Sequence, residues 1–310
     1  MGDPSRIPRL GLAMGGGGAR GLAHVGILTV LEEEGIYPTC IAGTSMGAIV
    51  GALYAESLDA KQVAAKVRIY ADDPSFRASW EPFVRDEMLP ENLGFFGGLR
   101  RSIQRKILSF KTFTSPAMQN AEGLLEPLQR LFSSTDIEDL HLPFAAVAVD
   151  LLSGKPHIFR TGNLVSAIYA SSAVPAVFPP LLMENELLID GGGPYRVPVN
   201  ICRSLGADLV LGLDIPSFSP EKDEYKTGMD VLTRTDEITR DRLNRLVLRE
   251  ADIVVRPDVS CFHWANFGAV DPICTAGQEA MRAAIPELRR LLKERQAIRH
   301  RLRSWLRRLL

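Results

Sequence analysis

Four consecutive glycines, Gly15 to Gly18, stand between an apolar run and an apolar helix pattern, and this limits what the chain can fold into. Leu10 to Met14 reads as a short buried strand, which Gly15-Gly16-Gly17-Gly18-Ala19-Arg20-Gly21 breaks off. Leu22, Val25, Leu28 and Leu31 then recur at three-to-four-residue spacing, predicting a helix closed at Gly35. Pro38 to Ala42 predicts a second strand, Gly43-Thr44-Ser45-Met46-Gly47 a second sharp turn, and Ala48 to Glu56 a second buried helix. Strand, turn and helix in alternation predict an α/β fold, three layers deep, with a mainly parallel central sheet.

Further along, Pro143 to Asp150 is a buried strand pattern, and a helix is expected over Leu164 to Ala170. A Pro-rich turn spans Val174 to Pro180, and Leu187-Leu188-Ile189 predicts a strand stopping at Asp190-Gly191-Gly192-Gly193. Asp208 to Asp214 and Ala251 to Arg256 are further strand candidates, with helical signals between them at Val231 to Leu248. Gly277 to Leu310 reads as mostly helix, whereas the pattern weakens from Tyr70 to Ser134. A chain of 310 residues suggests either two domains or one large one. With no internal repeat and no long linker, the expectation is a single domain. Its core would span about 10–285, with a cap inserted at about 70–134 and a basic amphipathic helix at 286–310.

Composition narrows the class. With 46% hydrophobic and 24% charged residues, the chain is neither collagen-like, nor disordered, nor a disulfide scaffold. Cys40, Cys202, Cys261 and Cys274 form no C-x-x-C pair and read as reduced thiols of a cytoplasmic protein. No 18-residue apolar run reads as a transmembrane helix, the first residues lack a secretory signal, and Arg6 stands where a myristoylation motif wants Ser or Thr.

Two glycine motifs carry the candidate chemistry. Gly16-x-Gly18-x-x-Gly21 matches the dinucleotide fingerprint, but that reading wants a carboxylate at the end of the second strand, where this chain has Gly43-Thr44-Ser45. No Gly-Lys-Ser/Thr follows to make a phosphate loop. A nicotinamide-dependent oxidoreductase is therefore the weaker reading. Gly43-x-Ser45-x-Gly47 is a G-x-S-x-G, whose small flanking residues let a strand-to-helix turn lift a serine hydroxyl clear of the sheet. The bland alternative is a serine capping a helix. A nucleophilic serine needs a base: His263 is the one histidine in a suitable loop, without a surrounding motif, while Asp190 ends a strand and enters three glycines. An aspartate in a partly dry site can accept the proton directly. An ordinary Asp-Gly turn is the competing account.

Taken in order, Met14-Gly15-Gly16-Gly17-Gly18-Ala19-Arg20-Gly21-Leu22-Ala23-His24-Val25-Gly26, Gly43-Thr44-Ser45-Met46-Gly47 and Asp190-Gly191-Gly192 closely resemble the patatin-like phospholipases, nearest to bacterial members related to neuropathy target esterase. Ala170 to Pro180 and Ala251 to Pro257 support the likeness, which covers residues 10 to about 285 apart from 70–134. The resemblance implies a serine–aspartate dyad acting on lipid acyl esters without a cofactor. Ser45 would be the nucleophile and Asp190 the proton acceptor, with the N–H groups of Gly16, Gly17 and Gly18 as oxyanion hole. It leaves Arg20 either steadying that loop or meeting an anionic head group. The family often carries Asn shortly after Asp-Gly-Gly; here Gly193-Pro194-Tyr195-Arg196-Val197-Pro198 has none, which bears on the local loop and substrate fit.

Two surfaces invite a lipid reading. Phe95 and Phe96, followed by Arg100, Arg101, Arg105 and Lys106, read either as a lid or as core aromatics beneath a cap. Net charge is −1 overall, but residues 287–310 hold nine Lys/Arg against two Glu, +7, leaving −8 for the rest. Leu288, Leu291, Leu292, Ile298, Leu302, Trp305, Leu306 and Leu309 form an apolar stripe there. That stripe either meets an anionic membrane surface, placing the protein peripherally on the inner face, or packs on the domain. Nucleic acid is excluded as a partner by the acidic remainder and the lack of a recognition motif. The rival from another class is a weakly active or non-catalytic membrane-associated regulator on the same scaffold. The sequence does not define the oligomeric state.

Overall fold

A computed structural model describes residues 8–74, 76–80, 83, 115–216, 225 and 227–309, the last stretch with side chains through residue 298. The proposed lid residues Phe95, Phe96, Arg100, Arg101, Arg105 and Lys106 lie outside the described residues, as do the side chains beyond 298.

Among the described residues, eight strands form one sheet: β1 (Leu10–Met14), β2 (Cys40–Gly43), β3 (Phe144–Asp150), β4 (Pro156–Phe159), β5 (Leu181–Met183), β6 (Glu186–Asp190), β7 (Leu209–Leu213) and β8 (Ile253–Val255). The order is β5-β6-β3-β2-β1-β7-β8, with β4 also on β3. β1, β2, β3, β7 and β8 run parallel, while β4 and β6 are antiparallel to β3 and β5 is antiparallel to β6. The sheet is therefore mixed but mainly parallel. β4 and β5, which the sequence reading did not anticipate, supply part of its antiparallel side.

The pairing around β3 places the functional residues. Ala146 pairs with Phe159 of β4 and also with Gly43 of β2, so β2 and β4 take opposite edges of β3. Ala148 pairs with His157 of β4 and with Asp190 of β6, so β6 shares the edge used by β2. Since β2 is parallel and β6 antiparallel to β3, the two strands run toward each other along one edge. Residues 43 and 190 end up facing.

Helices cover both faces. The larger core packs Leu10, Leu12, Met14, Ile41, Leu209, Leu211 and Leu213 against α1 (Ala23–Glu33), α2 (Met46–Ser57), α3 (Ala60–Asp72), α4 (Glu122–Leu131) and α5 (Leu164–Ser172). On the other face Ala13, Ala42 and Ala145 are small enough to seat α6 (Val199–Ser204) through Val199 and Cys202, with Leu248 from the end of α7 (Gly228–Leu248) beside them. The split follows the period-two alternation of each strand, which sends Leu12 one way and Ala13 the other. α4 lies within the stretch where periodicity weakened, yet its Leu124 and Leu128 are buried in the main core.

α8 (Val270–Leu309) closes the larger core against α1. The two helices approach so closely that a Cβ at Gly26 would sit 1.9 Å from the Cys274 carbonyl oxygen, and one at Gly277 would sit 2.0 Å from that of Ala23. Neither obstacle is a side chain that could swing aside. Gly277→Ala is expected to destabilise the protein by about 1–3 kcal/mol through overpacking. A thermal melt at constant protein concentration measures this, and an unchanged midpoint would refute it.

The basic segment of α8 is engaged with the domain as far as it is described. Leu288 is fully buried, and Leu291 and Leu292 pack at the edge of the core. Arg289 pairs with Glu34, Arg290 with Glu287 and Glu294, and Arg295 with Asp252. Of the two sequence readings, packing on the domain holds for this part. Among the described residues no helix is long and apolar enough to cross a membrane.

Candidate active site

Ser45 is the second of the two residues between β2 and α2, at φ 55 and ψ −126. That is a backbone conformation a non-glycine residue adopts only when its surroundings impose it. The imposition comes from both sides of the turn. Gly47 lies against β1, where any side chain would put a Cβ 2.2 Å from the Met14 carbonyl oxygen, and Thr44 N–H donates to that same oxygen at 3.0 Å. Although Ser45 precedes α2, its hydroxyl makes no capping bond to the helix. It donates instead to Asp190 Oδ2 at 2.6 Å, which disposes of the helix-cap reading.

Asp190 ends β6 and is 8% exposed. Its Oδ1 accepts the Gly192 N–H at 2.7 Å and its own N–H donates to the Ala173 carbonyl at 3.1 Å. Burial raises its pKa to about 6, against the opposing pull of the Ser45 hydroxyl, the Gly192 N–H and the charge of Arg240. It is thus a carboxylate poised to exchange a proton near neutrality, in contact with one hydroxyl. Among the described residues no histidine shares a hydrogen bond with either partner. His263 is engaged in its own loop, where Nδ1 accepts from Ala265 N–H at 3.3 Å.

The glycine loop approaches from the other side. A Cβ at Gly16 would lie 3.1 Å from the Ser45 Cβ, so this backbone passes directly beside the nucleophile candidate. Gly16 N–H donates to the Arg196 carbonyl at 3.1 Å. One of the three N–H groups expected at an oxyanion hole is thus engaged by the backbone of the 193–198 loop. Among the described residues the N–H groups of Gly17 and Gly18 have no hydrogen-bond partner. Arg20 is 4% exposed, with Nε donating to the Phe262 carbonyl at 2.7 Å and Nη1 to that of Pro216 at 3.3 Å. It ties the loop to two neighbouring segments, which is the loop-steadying alternative. His24 is fully buried behind the loop and bonds the Gly15 carbonyl through Nε2 at 2.8 Å, while burial lowers its pKa to about 4 and keeps the ring neutral.

The loop that lacks the family's asparagine is held by other means. Thr44 Oγ1 donates to the Tyr195 carbonyl at 2.9 Å, and Tyr195 N–H donates to the Gly191 carbonyl at 2.9 Å. Arg196, buried beside Asp214, gives its side chain to the Ile215 carbonyl. One loop therefore contacts all three sequence motifs. Sequence reasoning missed Thr44, Tyr195, Arg196 and Asp214 as parts of this arrangement. Thr44, Tyr195 and Arg196 stood in quoted motif or loop segments without a role, and Asp214 only ended a strand candidate. Among the described residues no three His, Cys, Asp or Glu side chains are grouped to hold a metal ion.

The structure thus defines an α/β protein whose mainly parallel sheet brings a strained serine, a buried aspartate and a glycine loop to one place. More narrowly, the chain belongs to the patatin-like phospholipase family, whose model matches residues 12–203, a span holding both Ser45 and Asp190. It is 34% identical over 234 residues to patatin-like phospholipase domain-containing protein ZK370.4 of Caenorhabditis elegans, covering 73% of this chain and 15% of that one. To patatin-like phospholipase domain-containing protein 6 of Homo sapiens it is 28% identical over 313 residues, covering 89% of this chain and 21% of the relative. An uncharacterized NTE family protein of Mycobacterium bovis is 33% identical over 217 residues, covering 68% and 50%. The chain thus spans about a fifth or less of the first two relatives and half of the third. Among solved structures, VipD of Legionella pneumophila aligns with a TM-score of 0.42 at 14% identity, covering 90% of this chain and 67% of that one.

Proposed function

We propose that this chain hydrolyses acyl esters of lipids by acyl transfer through Ser45. The reading rests above all on the 2.6 Å bond from the Ser45 hydroxyl to a buried Asp190 carboxylate whose pKa lies near 6. Asp190 accepts the hydroxyl proton as Ser45 Oγ attacks the ester carbonyl carbon. Negative charge develops on the carbonyl oxygen, where the N–H groups of Gly17 and Gly18, without a hydrogen-bond partner among the described residues, receive it. Collapse breaks the bond to the leaving alcohol, which takes the proton back from Asp190, and an acyl-Ser45 ester remains. Asp190 then draws a proton from a water that attacks this ester. A second collapse returns the proton to Ser45 and releases the fatty acid.

Family membership supports a lipid ester as substrate, and the aspartate without histidine agrees with the burial that raises its pKa. The direct test is labelling of the folded chain with a fluorophosphonate, mapping the adduct by mass spectrometry, alongside fatty-acid release from a panel of phospholipid, lysophospholipid and neutral esters. A single adduct on Ser45 with release from at least one lipid class is expected. A folded chain that neither labels nor releases fatty acid would overturn the proposal and favour a non-catalytic regulator on this scaffold.

A further inference from the structure

The block Ala170 to Pro180 matched the family pattern without an assigned role, and its first residues touch both members of the dyad. Ser171, at the end of α5 and fully buried, accepts the Ser45 N–H on Oγ at 3.0 Å and donates its own proton to the Val147 carbonyl at 2.7 Å. Two residues later the Ala173 carbonyl accepts the Asp190 N–H at 3.1 Å. One helix end therefore grips the backbone of the nucleophile and of its base, which lie 145 residues apart in sequence.

We propose that Ser171 is a positioning residue of the hydrolytic site, acting with the Ala173 carbonyl as a clamp that sets the distance between Ser45 and Asp190. The inference rests on the dyad reading above. The direction of each bond follows from the donors available. A carbonyl can only accept, so the Ser171 proton goes to Val147, and the lone pair left on Oγ takes the Ser45 N–H. Val147 belongs to β3, the strand along which β2 and β6 meet head to head, so the hold is referred to a buried strand of the sheet. Ser45 needs such a hold because its φ of 55 is unfavourable for a residue with a side chain. Without the hydroxyl, the Ser45 N–H and the Val147 carbonyl both lose a buried partner, and the nucleophile's backbone is free to relax away from Asp190.

The neighbouring Ser172 makes an internal control. It is similarly buried, yet its hydroxyl has no hydrogen-bond partner among the described residues. Ser171→Ala and Ser172→Ala therefore remove the same atom from adjacent buried positions, one bonded and one not. Ser171→Cys offers a third variant that keeps the volume but accepts hydrogen bonds weakly. It serves if the alanine variant does not fold.

The experiment compares fluorophosphonate labelling rate, kcat and KM on an active lipid ester, the pH profile, and deuterium uptake of peptides spanning residues 43–47. For Ser171→Ala or Ser171→Cys, labelling and kcat should fall by about 10- to 100-fold, as a misplacement of the order of 1 Å does. KM should stay within about two-fold, since a positioning residue does not bind substrate. The acid limb of the profile should move above pH 6, because the Ser45 hydroxyl that holds the Asp190 pKa down is drawn away. Uptake at Ser45 should quicken, and Ser172→Ala should match wild type in every readout. Wild-type labelling in both Ser171 variants would overturn the proposal, as would equal losses in Ser171→Ala and Ser172→Ala. Should wild type itself not label, the dyad reading falls. Quickened uptake at Ser45 would then uphold the backbone hold alone, and unchanged uptake would overturn that as well.

Discussion

Asp190→Asn is expected to lower kcat by about 10²- to 10⁴-fold, the usual contribution of a positioned general base, while making the protein more stable at pH 8. The two effects have one cause. Burial lifts the folded-state pKa of Asp190 from an ordinary 3.8 to about 6, so the folded protein holds this proton more tightly than the unfolded chain does. The stability contributed by the protonated form is fully present below pH 3.8 and is lost as pH rises through about 6. At pH 8 the folded state carries a buried charge, and asparagine removes it while keeping an oxygen able to accept the Ser45 hydroxyl. The gain can reach about 3 kcal/mol at 1.36 kcal/mol per pKa unit. In wild type, kcat/KM should fall about ten-fold per pH unit below pH 6 and level off above it. Melting curves at pH 5 and pH 8, with a kinetic profile between them, test both halves. A profile flat from pH 5 to 8 would show that Asp190 is not the base, and an asparagine variant less stable than wild type at pH 8 would show that its buried charge is not unfavourable.

Ser45→Ala should lower hydrolysis by about 10⁴- to 10⁶-fold, because it removes the hydroxyl proposed to form the acyl-enzyme, and should abolish labelling. Alanine leaves the backbone strain in place, since its Cβ meets the same neighbours at φ 55. Ser45→Gly should be equally inactive yet more stable than Ser45→Ala by about 1–3 kcal/mol, the strain a non-glycine residue stores there. Comparing the two inactive variants by thermal or urea melt separates chemistry from backbone energetics. Residual turnover above a tenth of wild type in clean Ser45→Ala would remove Ser45 from the mechanism. Equal melting points for Ala and Gly would mean that the turn is not strained.

Much of this site was legible because its key conformations are local. The glycines of 15–18 and the small residues about Ser45 each prescribe a turn within a few residues, where bulky side chains have no room. Alternation of strand and helix patterns was enough for a mainly parallel sheet. Where local signals were weak, legibility stopped. β4 and β5 are short and only partly buried, so neither their length nor their pattern announces a strand. α7 has a helix pattern but buries only Asn244 and Leu248, which tells little about what it packs on.

The sequence by itself determined the turns, the order of the elements and the residue types able to carry acyl transfer, because steric limits on the backbone act between near neighbours. Only the tertiary structure decided which of those residues meet. Ser45 and Asp190 come within 2.6 Å because β2 and β6 converge along one edge of β3, a pairing no local pattern encodes. Long-range hydrogen bonds likewise assigned the Gly16 N–H to Arg196, turned Arg20 inward and set Ser171 behind Ser45. Arg289 and Arg295 acquired partners in the same way, at Glu34 and Asp252, since a charge finds its counterpart by distance in space, whereas Arg290 pairs with Glu287 and Glu294 at helical spacing that the sequence already carries.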